Sequence, residues 1–237
     1  MKKYQILCVS LLSASSFFSF THAQNQAPAI APTDGSAKSD ADQLKKGAEW
    51  VESLNLDDPA KEARVKQVIV THLKAVRDWH NEHPFSTVPA GINPATGNPL
   101  TNLDRQMIAD SAIPKSVHES LMTGLQMDLN REQVEAILDE YTVGKVAFTM
   151  NGYRAIVPNL TKEEEATILG FLEQAREQAV DYKNMNQISA IFEIYKTKSE
   201  KYLESNGRNW KHMYKAYIDA VRAKKAAATD PAGRPAR

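Results

Sequence analysis

The stretch LTKEEEATILGFLEQAREQAVDYK, residues 160–183, decides the fold class because it predicts one long, well-capped α-helix. Thr161 is a preferred capping residue, and Glu164 follows three positions later, which is the spacing of a capping box. The stretch LNREQ at 129–133 begins in the same way, with asparagine and glutamine at the two capping positions. Two such starts before long apolar-periodic segments indicate a chain built mainly from helices.

Helical spacing of apolar residues extends this prediction along most of the chain. Asp58 before Pro59 is a start signal, because an acidic cap and a first-turn proline both favour a helix N-terminus. Residues 84–102 contain four prolines and two glycines and are predicted to form an irregular loop. The predicted helices cover about 40–54, 59–80, 103–110, 115–128, 130–141, 161–183, 186–205 and 208–225.

One segment predicts β-structure instead. Asn151-Gly152 lies between 146–150 and 153–157, two runs of strand-forming residues, and Asn-Gly in that setting is a strong hairpin signal. We therefore expect a small hairpin at about 146–157, packed on helices because an isolated hairpin is marginal in water. The predicted fold class is mainly α: a helical bundle-like single domain with one small β-hairpin.

The N-terminus predicts export. A basic start, an apolar stretch and the small-residue sequence THA predict a cleaved signal peptide at residues 1–23. Cleavage would remove Cys8, the single cysteine, and would leave a chain without thiols that suits an oxidising compartment. We expect a periplasmic protein that has no membrane anchor after signal cleavage.

Composition divides the remaining chain into a body and two ends. Residues 24–39 and 226–237 are rich in small and polar residues, which predicts a flexible linker and a disordered tail. The helical domain is therefore expected at 40–225. The oligomeric state is not predicted.

The charge balance limits the possible partners. Lys plus Arg and Asp plus Glu both number 29, so the formal net charge is zero and binding to nucleic acid is not expected. Hydrophobic residues make up 42%, which is enough for a packed core and argues against a disordered protein. No dinucleotide-binding, P-loop, nucleophile-elbow or HExxH motif occurs, so no cofactor is predicted.

Histidines are the first candidates for chemistry. His80 and His83 lie three residues apart at a helix end and could bind one metal ion, with Asp78, Asp104 or Asp110 completing the site. We favour the alternative, in which both interact with the carbonyls and dipole of that helix end, and we predict no metal centre. His118 is a candidate acid–base group, with a surface or packing role as its alternative. His72 faces an apolar stripe and is predicted to be a hydrogen-bonded core residue.

A sugar-binding surface is the second candidate. Asp104 and Arg105 directly follow the long loop, and long loops in compact domains are often functional. Beside flat rings such as Trp79 and Tyr153, these groups would combine stacking with directional hydrogen bonds to a sugar. The alternative is that Arg105 forms structural ion pairs with Asp104 or Asp110 and that these fix the loop. A further aromatic stripe is expected in the core: Trp210, Tyr214 and Tyr217.

Several long phrases resemble one known family. They are RDWHNEHP (77–84), VPAGINP (88–94), LDRQMIADSAIP (103–114), YTVGKVAFTMNGY (141–153), AREQAVDYK (175–183) and AIFEIYKTK (190–198). Together they resemble an exported bacterial family, mainly from Bacteroidetes, catalogued as domain of unknown function 3826, and the likeness spans about 42–225. The resemblance implies an accessory protein of polysaccharide-degrading systems, often directed at pectin, and implies no catalytic residues.

Three functional hypotheses follow. The first is an accessory or carbohydrate-binding protein of plant-polysaccharide use, with an oligosaccharide as partner. The second is an enzyme acting on pectic oligosaccharides through a polar cluster, and the third is a periplasmic helical chaperone. Convergence of the polar side chains in one pocket would favour the enzyme, and an exposed concave apolar face would favour the chaperone. The polar cluster consists of His80, His83, Asp104, Arg105, Asp110 and His118.

Overall fold

The computed structural model describes residues 34–94 and 96–229, which form nine α-helices and one 3₁₀ turn. The helices are Asp34–Glu52 (α1), Pro59–Glu82 (α2), Asn102–Asp110 (α3), Lys115–Asp128 (α4), Arg131–Thr142 (α5), Lys145–Ile156 (α6), Lys162–Ala179 (α7), Met185–Ser205 (α8) and Trp210–Thr229 (α9). The described part contains no β-strand, only an isolated bridge between Ile92 and Pro99. The prediction of a mainly α, bundle-like fold is confirmed.

Local capping chemistry sets most helix starts. Both predicted capping boxes are present, one at Thr161 before α7 and one at Asn130 before α5. A third, not predicted, lies at Thr101, where the carboxylate of Asp104 accepts a hydrogen bond from the Thr101 backbone N–H at 2.8 Å. Asp58 caps α2 as expected. These caps satisfy first-turn N–H groups that would otherwise lack partners.

The core consists of two apolar clusters. The first joins α1, α2, α4 and α5 around side chains such as Ile69 and Leu125, both fully buried. The second joins α6, α7 and α8 around Leu172 and Leu203, which are also fully buried. Each such side chain contributes about 1.5–3 kcal/mol relative to an exposed one, so the two clusters supply most of the apolar burial.

The predicted hairpin at 146–157 is wrong, because this segment is helix α6. Gly152 does not adopt the positive φ that an Asn-Gly turn would need. A helical stripe decides the outcome: Val146, Met150, Tyr153 and Val157 are spaced by three or four residues and all join the second apolar cluster. Burial of this stripe outweighs the local turn preference of Asn-Gly.

The described helices extend beyond the predicted domain limits of 40–225. α1 begins within the predicted linker 24–39. Directly after this segment, Asp40 holds α1 against α2 through ion pairs with Lys74 and Arg77 at 2.8 and 2.5 Å. α9 continues into the predicted tail 226–237, because consecutive alanines there favour helix.

The predicted signal peptide, the first part of the linker and the end of the tail lie outside the described residues. None of the described helices combines the length and the apolar composition needed to cross a bilayer.

Candidate functional site

Asp110, a predicted acid–base candidate, lies in a closed group of polar side chains that we call the Asp110 cluster: Asp110, His80, Gln106 and Gln187. Its carboxylate lies 2.7 Å from Nδ1 of His80 and accepts hydrogen bonds from the side-chain amides of Gln106 and Gln187 at 2.8 and 2.5 Å. Asp110 is 3% exposed and Gln187 is fully buried. Because protein groups occupy both carboxylate oxygens, this cluster joins α2, α3 and α8 and leaves little room for a ligand.

His83 does not join His80 in one site. Its ring stacks on Trp79 with centroids 3.8 Å apart, and its Nδ1 lies 2.9 Å from the Trp79 carbonyl oxygen. This is the predicted interaction with the carbonyls of a helix end, but it holds for His83 alone, because His80 pairs with Asp110 instead. The Trp79 indole N–H donates to the Ala109 carbonyl at 3.2 Å, so one ring face and the polar edge of Trp79 are both occupied. Among the described residues, no group of three or more His, Cys, Asp or Glu side chains could hold a metal ion.

Asp104 and Arg105 fix the loop and the helix after it, although not through an ion pair with each other. Asp104 completes the capping box of α3, and this hydrogen bonding to Thr101 lowers the pKa of the carboxyl. Arg105 donates two hydrogen bonds to the Val88 carbonyl, at 2.9 and 2.5 Å, and its guanidinium lies 5.4 Å from the centre of the Phe85 ring. Both side chains therefore have structural partners.

The six side chains of the predicted polar cluster do not form one site. His80 contacts Asp110, and the ring of His83 stacks on Trp79. Asp104 caps α3, and Arg105 holds the loop at Val88. His118 pairs with a carboxylate that sequence reasoning did not single out, Asp181.

His118 belongs to a second group, the Asp181 cluster: Asp181, His118 and His72. Nδ1 of His118 lies 2.8 Å from Oδ2 of Asp181, and Nε2 of His72 lies 3.0 Å from Oδ1. His72 is 3% exposed, which confirms the prediction of a hydrogen-bonded core histidine. His118, in contrast, lines a cavity of about 520 Å³ between α4, α7 and α8, so this cluster reaches solvent.

The hydrogen-bond network assigns the protons of the Asp181 cluster. Nδ1 of His72 is buried without a polar partner among the described residues, so Nε2 carries the proton that is donated to Asp181. His118 donates from Nδ1 to the other carboxylate oxygen. Its Nε2 is then left on the cavity side, 3.7 Å from Glu177 Oε1, which is too far for a direct hydrogen bond.

The contact between His118 and Asp181 shifts the pKa of both side chains. The hydrogen bond to Asp181 raises the pKa of His118 above its ordinary value of 6.5, although partial burial opposes the shift. Burial alone would raise the pKa of Asp181, but the hydrogen bonds from His118 and His72 outweigh burial and lower the pKa below 3.8. An ionised carboxylate thus orients the imidazole of His118 and favours its protonated form, an arrangement also found in general acid–base sites.

A second open site, which we call the aromatic groove, lies between α6, α8 and α9 and has a cavity volume of about 680 Å³. Such a volume is typical of small-molecule sites. Its aromatic lining consists of Phe148, Tyr153, Trp210, Tyr214 and Tyr217. Of the residues predicted to bind a ligand, only Tyr153 lies here.

Three rings of the aromatic groove pack side by side and form part of its wall. Trp210 and Tyr214 are nearly parallel, with centroids 5.8 Å apart, and Tyr153 packs beneath Trp210 at 5.4 Å. The Tyr153 hydroxyl donates to the Lys196 carbonyl at 3.1 Å, and burial raises its pKa. Tyr214 is 47% exposed, so the expectation that this stripe belongs wholly to the core is wrong.

Polar side chains lie beside these rings. Asn151, Lys196 and Glu200 line the same groove. Partial burial raises the pKa of Glu200, with Lys196 opposing the shift, and the described residues offer Glu200 no hydrogen bond. Lys196 is paired with Glu193 at 2.8 Å. The groove therefore combines ring faces with one carboxylate, Glu200, that accepts no hydrogen bond from the described residues, and it carries no net excess of positive charge.

Sequence reasoning missed Asp181 and Glu200. Asp181 lies 63 residues from His118 and 109 from His72, so no local pattern connects them. The spacing of Trp210, Tyr214 and Tyr217 on one helix was visible, but periodicity alone does not tell whether such a stripe is buried.

Comparison with known proteins gives one result. No curated protein matches the chain. The profile of the family described as "Protein of unknown function (DUF3826)" matches residues 41–223, which includes nearly all the described helices. The chain belongs to this family.

Proposed function

We propose that this chain is an exported accessory protein of plant-polysaccharide use that binds an oligosaccharide in the aromatic groove. The observation that carries the proposal is the occurrence, in one open cavity, of exposed ring faces beside the Glu200 carboxylate, which accepts no hydrogen bond from the described residues. Sugars present apolar C–H faces that pack on rings and hydroxyls that need directional partners, so they suit such a lining.

The charges of the groove favour a neutral sugar over an acidic one. Glu200 would repel a uronate, and Lys196 is already paired with Glu193. Glu200 has free acceptor positions for the hydroxyl donors of a neutral sugar. We therefore expect neutral oligosaccharides from plant cell walls to bind more tightly than oligogalacturonates.

Isothermal titration calorimetry with neutral and acidic pectic oligosaccharides tests this proposal. Tyr214→Ala removes an exposed ring face and should weaken binding about tenfold, which corresponds to about 1.4 kcal/mol. The matched control is Val221→Ala, also an exposed apolar position on α9 but outside the groove, and it should retain the wild-type affinity. Absence of binding to every oligosaccharide, or equal loss in both variants, would contradict the proposal.

A helical chaperone is a second candidate, because Phe148 at the groove is 79% exposed. A chaperone groove would bind unfolded apolar segments and suppress their aggregation, and sugars would not compete. Light scattering of a thermally denatured client protein, with and without this chain, separates the two functions. Suppression of aggregation that Tyr214→Ala abolishes and oligosaccharide leaves unchanged would favour the chaperone.

Export to the periplasm is part of the proposal and rests on the N-terminal residues of the sequence. Expression of the full chain in a Gram-negative host should give a periplasmic protein that begins at Gln24. Mass spectrometry of the periplasmic fraction measures this N-terminus. A full-length chain retained in the cytoplasm would contradict the predicted cleavage.

A further inference from the structure

The Asp181 cluster contains an arrangement that oligosaccharide binding in the aromatic groove does not use. A buried histidine, His72, donates to one carboxylate oxygen of Asp181, and His118 donates to the other. The hydrogen bond to Asp181 fixes the ring of His118 and leaves its Nε2 beside the cavity. The His118 side chain is 25% exposed.

We propose that the cavity beside His118 is a hydrolytic site in which His118 acts as a general base on water, with a neutral carboxylic ester as the substrate. Nε2 accepts a proton from water while the water oxygen bonds to the ester carbonyl carbon. His118 then returns that proton to the alcohol oxygen as the carbon–oxygen bond breaks. Ester and water thus give a carboxylic acid and an alcohol, and the imidazole is regenerated.

The charges around the cavity select this substrate class. Asp181, Glu177 and Glu119 line it together with one lysine, Lys115, so an anionic phosphate ester would be repelled. A single imidazole that a carboxylate holds in place beside the cavity is suited to activate water against the carbonyl of an ester.

The start of α4 lies in the same wall. Pro114 and Lys115 line the cavity, and Pro114 provides no side-chain cap for the helix. The N-terminal end of a helix carries partial positive charge and free N–H groups, which stabilise negative charge that develops on a carbonyl oxygen. The helix end is a secondary argument, because the proposal rests on the geometry of His118 and Asp181.

Asp181 is a positioning residue in this proposal. It holds the Nδ1–H tautomer of His118 and stabilises the imidazolium that forms during proton transfer. His72 fixes the carboxylate of Asp181 by donating a hydrogen bond to Oδ1. Both act through His118: His72 does not line the cavity, and each carboxylate oxygen of Asp181 already accepts a hydrogen bond from a histidine.

Hydrolysis of p-nitrophenyl acetate and p-nitrophenyl butyrate by the purified chain tests the proposal. His118→Gln should lower kcat/KM about 10²-fold, which is the scale of general-base catalysis. The control is His212→Gln, because His212 is an exposed histidine on α9 outside the cavity and reports reaction with surface imidazoles. Hydrolysis by the wild type that is no faster than that of His118→Gln overturns the proposal.

The pH profile separates positioning from a merely structural role. The base form of His118 is required, so kcat/KM should rise with pH through the pKa of His118. Asp181→Asn should move this rise to lower pH, because the carboxylate is the main cause of the raised pKa. The other ionisable groups at the cavity are Glu177, Glu119, Lys115 and Tyr195.

A substitution at Glu177, which is more exposed than Asp181 and less important for folding, should also shift the pH profile. Glu177 is 57% exposed in its side chain and also raises the pKa of His118, so Glu177→Gln should cause a smaller shift in the same direction. Profiles that keep the wild-type midpoint in both variants would exclude His118 as the base.

Discussion

Asp110 and Asp181 each accept a hydrogen bond from a histidine of α2, yet one cluster is closed and the other reaches a cavity. Asp110 is 3% exposed and its remaining partners are two glutamine amides. The second partner of Asp181 is His118, which lines open space. The same acid–histidine pair is therefore structural where its partners are all protein groups, and available for proton transfer where one imidazole nitrogen remains free.

The largest expected effect comes from breaking the closed cluster. Asp110→Ala would leave the amides of Gln106 and Gln187 and the ring of His80 without their acceptor. Buried unsatisfied donors of this kind should lower the free energy of unfolding by about 3 kcal/mol. Urea denaturation measures the loss, and ester hydrolysis by the folded fraction should persist because His118 is untouched.

Asp219→Ala serves as the matched control for this substitution. Asp219 pairs with Lys215 on the surface of α9, in a side-chain position that is 52% exposed. This variant should leave the urea midpoint at its wild-type value. An equal shift in both variants would show that the Asp110 cluster has no special structural role.

A substitution at a helix contact should disturb the open cluster selectively. A Cβ at Gly124 of α4 would lie 2.7 and 2.8 Å from the methyl groups of Val68 on α2. Gly124→Ala should therefore cost about 1–2 kcal/mol despite the better helix propensity of alanine. Because α4 carries His118 and α2 carries His72, it should also lower ester hydrolysis.

Gly170→Ala is the matched control, since nothing lies within 4 Å of the added Cβ on α7. Its only effect should be the gain in helix propensity, up to about 1 kcal/mol. Opposite signs for the two variants in thermal denaturation would support the close approach of α4 to α2. Stabilisation by both would contradict it.

The same contrast explains what the sequence could predict. Capping boxes, apolar stripes and the buried position of His72 depend on residues within one helix, and these predictions are confirmed. The pairing of Asp110 with Gln187 spans 77 residues and that of His118 with Asp181 spans 63. Such contacts are fixed by the packing of whole helices, so no local pattern shows which carboxylate a histidine will meet.

The predicted hairpin is wrong for a different reason: the local turn signal is present, but burial of an apolar helical stripe outweighs it. Asn151-Gly152 predicts a turn, whereas Val146, Met150 and Tyr153 predict a helical stripe in the same segment. Burial of three large side chains is worth several times the turn preference, so the stripe prevails and α6 forms. Because α6 is a helix, it presents Phe148 and Tyr153 to the aromatic groove.

The smallest expected effect is a pH dependence of stability that is specific to the open cluster. Asp181 raises the pKa of His118 in the folded chain above the ordinary value of 6.5. A group with a raised folded-state pKa contributes stability in full below its unfolded pKa, and this contribution is lost as pH rises through the folded value. For Asp181 the sign is reversed, because its folded-state pKa is lowered: its contribution is present above 3.8 and is lost as pH falls through the folded value.

The stability difference between wild type and His118→Gln should therefore shrink as pH rises from the ordinary pKa of 6.5 through the raised folded-state pKa of His118. His118 is only half-buried, so screening by solvent makes the difference modest. Free energies of unfolding in urea at several pH values measure it. Parallel profiles for the two proteins would mean that the Asp181–His118 pair does not titrate with folding, and Asp181 would then be as purely structural as Asp110.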